Sequence, residues 1–112
     1  MSDKDAKRFA SETPINLPAN KIEMQYWSDA MVELLNRLGI DYVFLLPGSS
    51  YRGLHDSMVN YGRNHKPRMI LTTHEQIAVS MAHGYSKATG RIGVCILHDL
   101  VGLMNGSMGV YN

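Results

Sequence analysis

The sequence predicts an α/β fold, a partial three-layer arrangement in which a parallel sheet carries helices on both faces. Three observations point there. Short apolar runs of strand type alternate with segments whose apolar residues recur at three- and four-residue spacing, and strands and helices joined by crossovers imply a parallel sheet. Each strand-type run gives way abruptly to Pro-Gly, His-Glu or His-Asp. The 112 residues are also enough for one hydrophobic core and too few for two.

Residues 1–21 are polar, carry both signs of charge and lack the apolar stretch of a secretory signal, so they read as a flexible amino-terminal arm ahead of a domain over 22–112. From about Gln25 the pattern becomes helical, with Trp27, Ala30, Met31, Leu34, Leu35 and Leu38 on one face and Gly39 as a left-handed stop. Residues 41–46 form an almost continuously apolar run, as suits a parallel strand covered on both sides. Pro47-Gly48-Ser49-Ser50 breaks it, and a weaker helical pattern follows over 51–61 through Leu54, Met58 and Tyr61.

A polar turn over 61–67 leads to a second strand, 68–72. The next helix opens at Glu75, presents Ile77, Ala78, Met81, Ala82 and Tyr85, and stops at Gly90. A third strand over 92–97 ends at His98, and a Met-rich segment over 101–112 begins a further helix, with Met104 and Met108 expected in a core or an interface. That helix runs to Asn112 without a cap or breaker, and the last strand would leave an open edge, so the chain reads as a carboxyl-terminally truncated fragment. In a parallel sheet the loops after the strands share one edge, which makes residues 47–50, His74-Glu75 and His98-Asp99 candidate neighbours.

The composition is 45% hydrophobic and 19% charged, with a formal net charge of +1. No basic patch calls for nucleic acid, no charge run calls for a membrane surface, and a small molecule or another protein chain is the expected partner. The single cysteine, Cys95, falls in an apolar run and reads as a small core residue, which suits a cytoplasmic location. His55, His65, His74 and His83 show no metal-ligand spacing.

Glu75 carries two readings. Thr72 with Glu75, or Thr73 with Gln76, fits a capping box, and an acidic first turn is favoured by the helix dipole. Alternatively, Glu75 is a functional carboxylate at the carboxyl end of a strand, where open α/β sheets bind ligands. Ser49 and His98 divide similarly, between turn or strand-end residues and functional groups.

Glu75, Ala78, Ala82, Gly84, Tyr85 and Gly90, flanked by 38–48 before and by Gly93 to His98 with Gly102 and Asn105 after, together resemble the amino-terminal pyrimidine-binding domain of thiamine-diphosphate-dependent enzymes. The loops Pro47-Gly48-Ser49 and Leu97-His98 are similar to those of the benzoylformate decarboxylases, while acetolactate synthases usually carry Ser-Gly-Pro-Gly where this chain has Asp99-Leu100-Val101-Gly102.

The resemblance implies a leading part of an enzyme that decarboxylates or carboligates 2-oxo acids, with thiamine diphosphate as cofactor. Glu75 would hydrogen-bond a ring nitrogen of the aminopyrimidine and favour its imino tautomer. Ser49 would hold the substrate carboxylate, His98 would relay protons, and Pro47, Gly48, Gly102 and Asn105 would line the cofactor. Apart from the resemblance, the place of Asp99 next to His98 leaves two readings, orienting His98 or capping the following helix. Magnesium and the diphosphate would bind a second domain whose Gly-Asp-Gly signature does not occur in this sequence. The complete enzyme would be a homodimer or homotetramer, and these residues alone would be inactive. A non-catalytic truncated module that associates with a full-length relative is the alternative. A flavodoxin-type nucleotide domain is a weaker one, since no glycine-rich phosphate loop follows a strand.

Overall fold

A computed structural model describes residues 23–112; the proposed arm over 1–21 lies outside them. The elements run α1 (Trp27–Arg37), β1 (Tyr42–Leu45), a 3-10 turn (Ser49–Tyr51), α2 (Arg52–Asn60), β2 (Arg68–Leu71), α3 (Glu75–Thr89), β3 (Val94–Ile96) and α4 (Leu100–Tyr111). The three strands form one parallel sheet in the order β2-β1-β3. Asp41 and Thr72 extend the β1–β2 ladder by one bond at each end, through Arg68 N to Asp41 O and Thr72 N to Leu45 O, both 2.8 Å.

The period of two along β1 divides the core. Val43 and Leu45 face one way and pack with Val32, Ile40, Met58 and Met69 under α1 and α2. Phe44 faces the other way, against Ala78 and Ala82 of α3. Helices therefore cover both faces, and the expected α/β architecture is observed. Gly39 and Gly90 both take positive φ, 73° and 69°, at the predicted helix stops.

Three predicted faces are turned from where the spacing put them. In α1 the buried residues are Asp29 and Val32, while Trp27, Met31, Leu34 and Leu38 stay exposed. Asp29 tolerates burial because its carboxylate accepts from Gln25 N at 2.9 Å and Tyr26 N at 3.0 Å, groups that a helix start would otherwise leave unpaired. In α3 the buried stripe is Glu75, Ala78, Val79 and Ala82, and Ile77 and Met81 are exposed. In α4 the glycines are buried instead of Met104 and Met108: Gly106 and Gly109 lie against Val79, so near that an added Cβ would stand 3.1 and 2.8 Å from its methyl carbons. Close helix approach selects residues without side chains, which overrides the preference for burying methionine. The core placement of Met104 and Met108 is thus overturned.

Two glycines give a paired expectation. Gly84, in the middle of α3, has open space where a Cβ would go, so Gly84→Ala should stabilise the chain by about 0.5–1 kcal/mol through lost unfolded-state freedom. At Gly93 a Cβ would meet the backbone of Ala82, 2.8 Å from its carbonyl carbon, and backbone inside a helix cannot step aside. Gly93→Ala should cost about 1–3 kcal/mol. Urea unfolding of the two variants should move midpoints in opposite directions; equal shifts would refute the packing described.

Candidate functional site

The loops following β1, β2 and β3 converge on one edge of the sheet, as the parallel topology requires. Thr72, buried at the end of β2, fixes the second of them. Its hydroxyl lies 3.2 Å from Leu45 O and 3.1 Å from His74 O. His74 is then extended and caps α3, its Nδ1 accepting from Gln76 N at 3.2 Å. The cap is therefore His74, and neither threonine serves the capping box that the spacing allowed. This places Glu75 at the first helical position, where the residue is 5% exposed and its carboxylate also meets its own backbone N–H.

Asn105 of α4 reaches across and donates Nδ2 to Glu75 Oε2 at 3.1 Å. This bond is the main cause holding the Glu75 carboxyl below its ordinary range; its own backbone N–H comes next, His74 and His98 pull the same way more weakly, and burial opposes them. The strongest influence on this carboxyl is thus a side chain thirty residues downstream; of its apolar neighbours in α3, Ala78 is fully buried while Ile77 and Met81 point to solvent.

Beside Glu75 sits His98, half-buried at the end of β3. Its Nε2 lies 3.4 Å from Ser49 Oγ, and its Nδ1 lies against Asp99 Oδ1. Two glycines make room for the ring and the carboxylate. A Cβ on Gly48 would stand 2.5 Å from His98 Cδ2, and one on Gly102 would stand 2.9 Å from His98 Cβ and 3.2 Å from Glu75 Oε1. The structure thus brings together Ser49, Gly48, Glu75, His98, Gly102 and Asn105; Pro47 is exposed at the loop's start.

Tyr51 was not singled out from the sequence. Its ring packs beside Gly48, its hydroxyl donates to Leu46 O, and burial with the nearby Glu75 charge pushes its phenol pKa up. The signal available was an aromatic residue three positions after the strand-breaking Gly48. Among the described residues no three His, Cys, Asp or Glu side chains converge into a metal-binding group, and no helix is long and apolar enough to cross a membrane.

The depressed carboxyls set an acid limit. Asp29 is held low by the Ser57 hydroxyl first and then by the Gln25 N–H, while Asn105 holds Glu75 low. A folded-state pKa below the unfolded one contributes stability that is full above the unfolded value and is lost as pH falls through the folded one. The chain should therefore lose stability as pH drops below the ordinary 4.5 of glutamate and 3.8 of aspartate. Replacing both with amides should flatten the midpoint against pH between about 5 and 2. An undiminished acid slope in Glu75→Gln/Asp29→Asn would count against these two groups as its source.

Residues 26–112 match the family model described as "Thiamine pyrophosphate enzyme, N-terminal TPP binding domain". The chain is similar to acetolactate synthase 2, chloroplastic, of Brassica napus, with 33% identity over 97 residues, covering 87% of this chain and 14% of that protein. It is 40% identical over 78 residues to acetolactate synthase 2, chloroplastic, of Nicotiana tabacum, covering 70% of this chain and 11% of that protein. A solved structure assigned to a thiamin diphosphate-dependent enzyme isolated from Mycobacterium smegmatis superposes with a TM-score of 0.65 at 26% identity, over 78% of this chain and 16% of that one. The chain spans 14% or less of the length of these two plant relatives. With the family model matched over nearly the whole described region, the chain belongs to the thiamine pyrophosphate enzymes, through their N-terminal TPP-binding domain.

Proposed function

We propose that the chain is the leading part of an enzyme acting on 2-oxo acids, by decarboxylation or carboligation, and that Glu75 is its cofactor-activating carboxylate. The observation that carries this reading is a glutamate only 5% exposed at the first residue of α3, its carboxylate held by Asn105 from across the site and bordered by bare glycine backbone. Gly48 and Gly102 form a cradle that side chains would fill, which fits a flat heterocycle set against Glu75 Oε1 while Asn105 keeps Oε2. When bound, thiamine diphosphate supplies a carbon nucleophile and an electron sink for the 2-oxo acid.

The remaining roles fall to this chain's own groups. Glu75 accepts or shares a proton at the pyrimidine ring, and Asn105 keeps its carboxylate charged and aimed. Ser49 is placed to donate its hydroxyl to a substrate carboxylate, and His98 to move a proton near the reacting carbon. The diphosphate and magnesium belong on a separate domain, supplied within a homodimer or homotetramer. Support for such covering comes from the exposed apolar stripe Trp27, Met31, Leu34 and Leu38 on α1 and from Val101, Met104 and Met108 on α4.

The test is calorimetric titration of thiamine diphosphate and magnesium into the chain, alone and mixed with a separately produced diphosphate-binding domain of a relative. Binding confined to the mixture supports the reading. Association of the two domains without cofactor binding overturns it and leaves a non-catalytic module.

A further inference from the structure

We propose that Asp99 is a positioning residue for His98, holding the imidazole as its Nδ1–H tautomer so that Nε2 faces Ser49 as an acceptor. Three features of the geometry lead to this. The His98 Nδ1 atom is buried and has no hydrogen-bond partner among the described residues, while the Asp99 carboxylate lies directly against it through Oδ1, an orphaned ring nitrogen beside the one group able to accept from it. Asp99 occupies the cap position of α4, yet its side chain makes no capping bond and its backbone, at φ −48° and ψ −119°, is not that of an ordinary cap. The carboxylate is thus committed to the ring instead of the helix. Finally, His98 is closely flanked: a Cβ on Gly48 would overlap the ring at Cδ2 and one on Gly102 would crowd His98 Cβ, so the space around the residue is narrow on both sides.

A buried ring nitrogen beside a carboxylate is far better protonated than unprotonated, since an imidazole nitrogen lone pair facing a carboxylate oxygen would be repulsive. Free neutral histidine prefers the proton on Nε2, so the environment here reverses the intrinsic preference. The carboxylate of Glu75 on α3 also faces His98 electrostatically, and the Tyr51 phenol sits beyond Gly48, but neither reaches Nδ1. Asp99 is 74% exposed in its side chain, so solvent weakens its charge and orientation is what it chiefly supplies.

The tautomer governs Ser49. A hydroxyl has one hydrogen, and with neutral His98 accepting at Nε2, that hydrogen points at the ring, 3.4 Å away. When His98 takes up a proton, both ring nitrogens donate, Nδ1 to Asp99 and Nε2 to Ser49 Oγ, and the Ser49 hydrogen is released toward an incoming carboxylate. This last consequence rests on the proposed function; the tautomer itself does not.

The experiment is a two-dimensional correlation of ring carbon-bound protons with ring nitrogens in the 15N-labelled 112-residue chain, at a pH where His98 is neutral. Wild type should show a protonated Nδ1 and an unprotonated Nε2. Asp99→Ala should reverse the pattern, Asp99→Asn should keep it because the amide oxygen still accepts, and Ser49→Ala should keep it as well. An Nε2–H ring in wild type, or an Nδ1–H ring that survives in Asp99→Ala, overturns the proposal, as does loss of the pattern in Ser49→Ala. Since the readout needs no cofactor, an Nδ1–H ring in a chain whose reconstituted assembly binds no thiamine diphosphate would remove the proposed function and leave the positioning role standing.

Discussion

Glu75→Gln should lower the rate of proton exchange at C2 of bound thiamine diphosphate, in an assembly completed with a diphosphate-binding domain, by about 10²- to 10⁴-fold, the usual worth of a placed proton-transfer group. The substitution is nearly isosteric, and the amide oxygen can still accept from Asn105 Nδ2, so the helix start and the α3–α4 contact should survive. What is lost is the negative charge, and with it the ability to hold a proton shared with a ring nitrogen. Unchanged cofactor affinity with collapsed exchange is therefore the expected pattern. Wild-type exchange in Glu75→Gln would end the assignment of Glu75 as the activating group.

Asn105→Ala separates the carboxylate from the residue that tunes it. The Asn105 hydrogen bond is the largest influence lowering the Glu75 pKa, so its removal should raise that pKa toward the ordinary carboxylate value as burial gains weight. Carbon-13 titration of the Glu75 carboxyl reads this directly. No upward movement would mean that the 3.1 Å bond does not persist in solution.

Leu45→Ala should be the most damaging single change to stability, at about 2–5 kcal/mol. Leu45 is fully buried on the central strand, between α1, α2 and the neighbouring strands, and its carbonyl receives both Thr72 N and the Thr72 hydroxyl. Truncation leaves a cavity in a sheet paired on both sides, with no edge along which it can collapse. For a domain of this size each 1 kcal/mol corresponds to roughly 4–8 °C in melting temperature.

Leu71 provides the control within the same ladder. It is the register partner of Leu45 but stands on the edge strand with 61% exposure. Leu71→Ala should change stability by about 0.5 kcal/mol or less. Equal effects from these two leucines would mean that the centre and edge of the sheet had been misassigned.

Much of the architecture was legible from local pattern. The apolar runs mark the three strands, which the structure shortens to Tyr42–Leu45, Arg68–Leu71 and Val94–Ile96, and Gly39 and Gly90 mark the helix stops. These are properties of a few adjacent residues, so a linear reading can find them. The convergence of Pro47-Gly48-Ser49, Glu75 and His98 also follows from sequence once the strands are taken as parallel, because parallel strands end on one edge.

Helix faces were less legible, since periodicity names a stripe without saying which neighbour it meets. Trp27, Met31, Leu34 and Leu38 make a regular apolar stripe on α1, yet the sheet lies on the side of Val32, with Asp29 satisfied at the helix start. Met104 and Met108 lost burial to Gly102, Gly106 and Gly109 because α4 approaches α3 more closely than a side chain allows.

By itself, then, the sequence determined the element order, the parallel sheet, the family pattern and the edge on which Glu75, Ser49 and His98 would meet, because chain-local periodicity and a handed topology suffice for those. Only the tertiary structure decided that His74 caps α3, that Asn105 lowers the pKa of Glu75, and that Asp99 turns to His98 instead of its helix. Each of those depends on angstrom-scale distances and directions between side chains, which spacing along the chain does not contain.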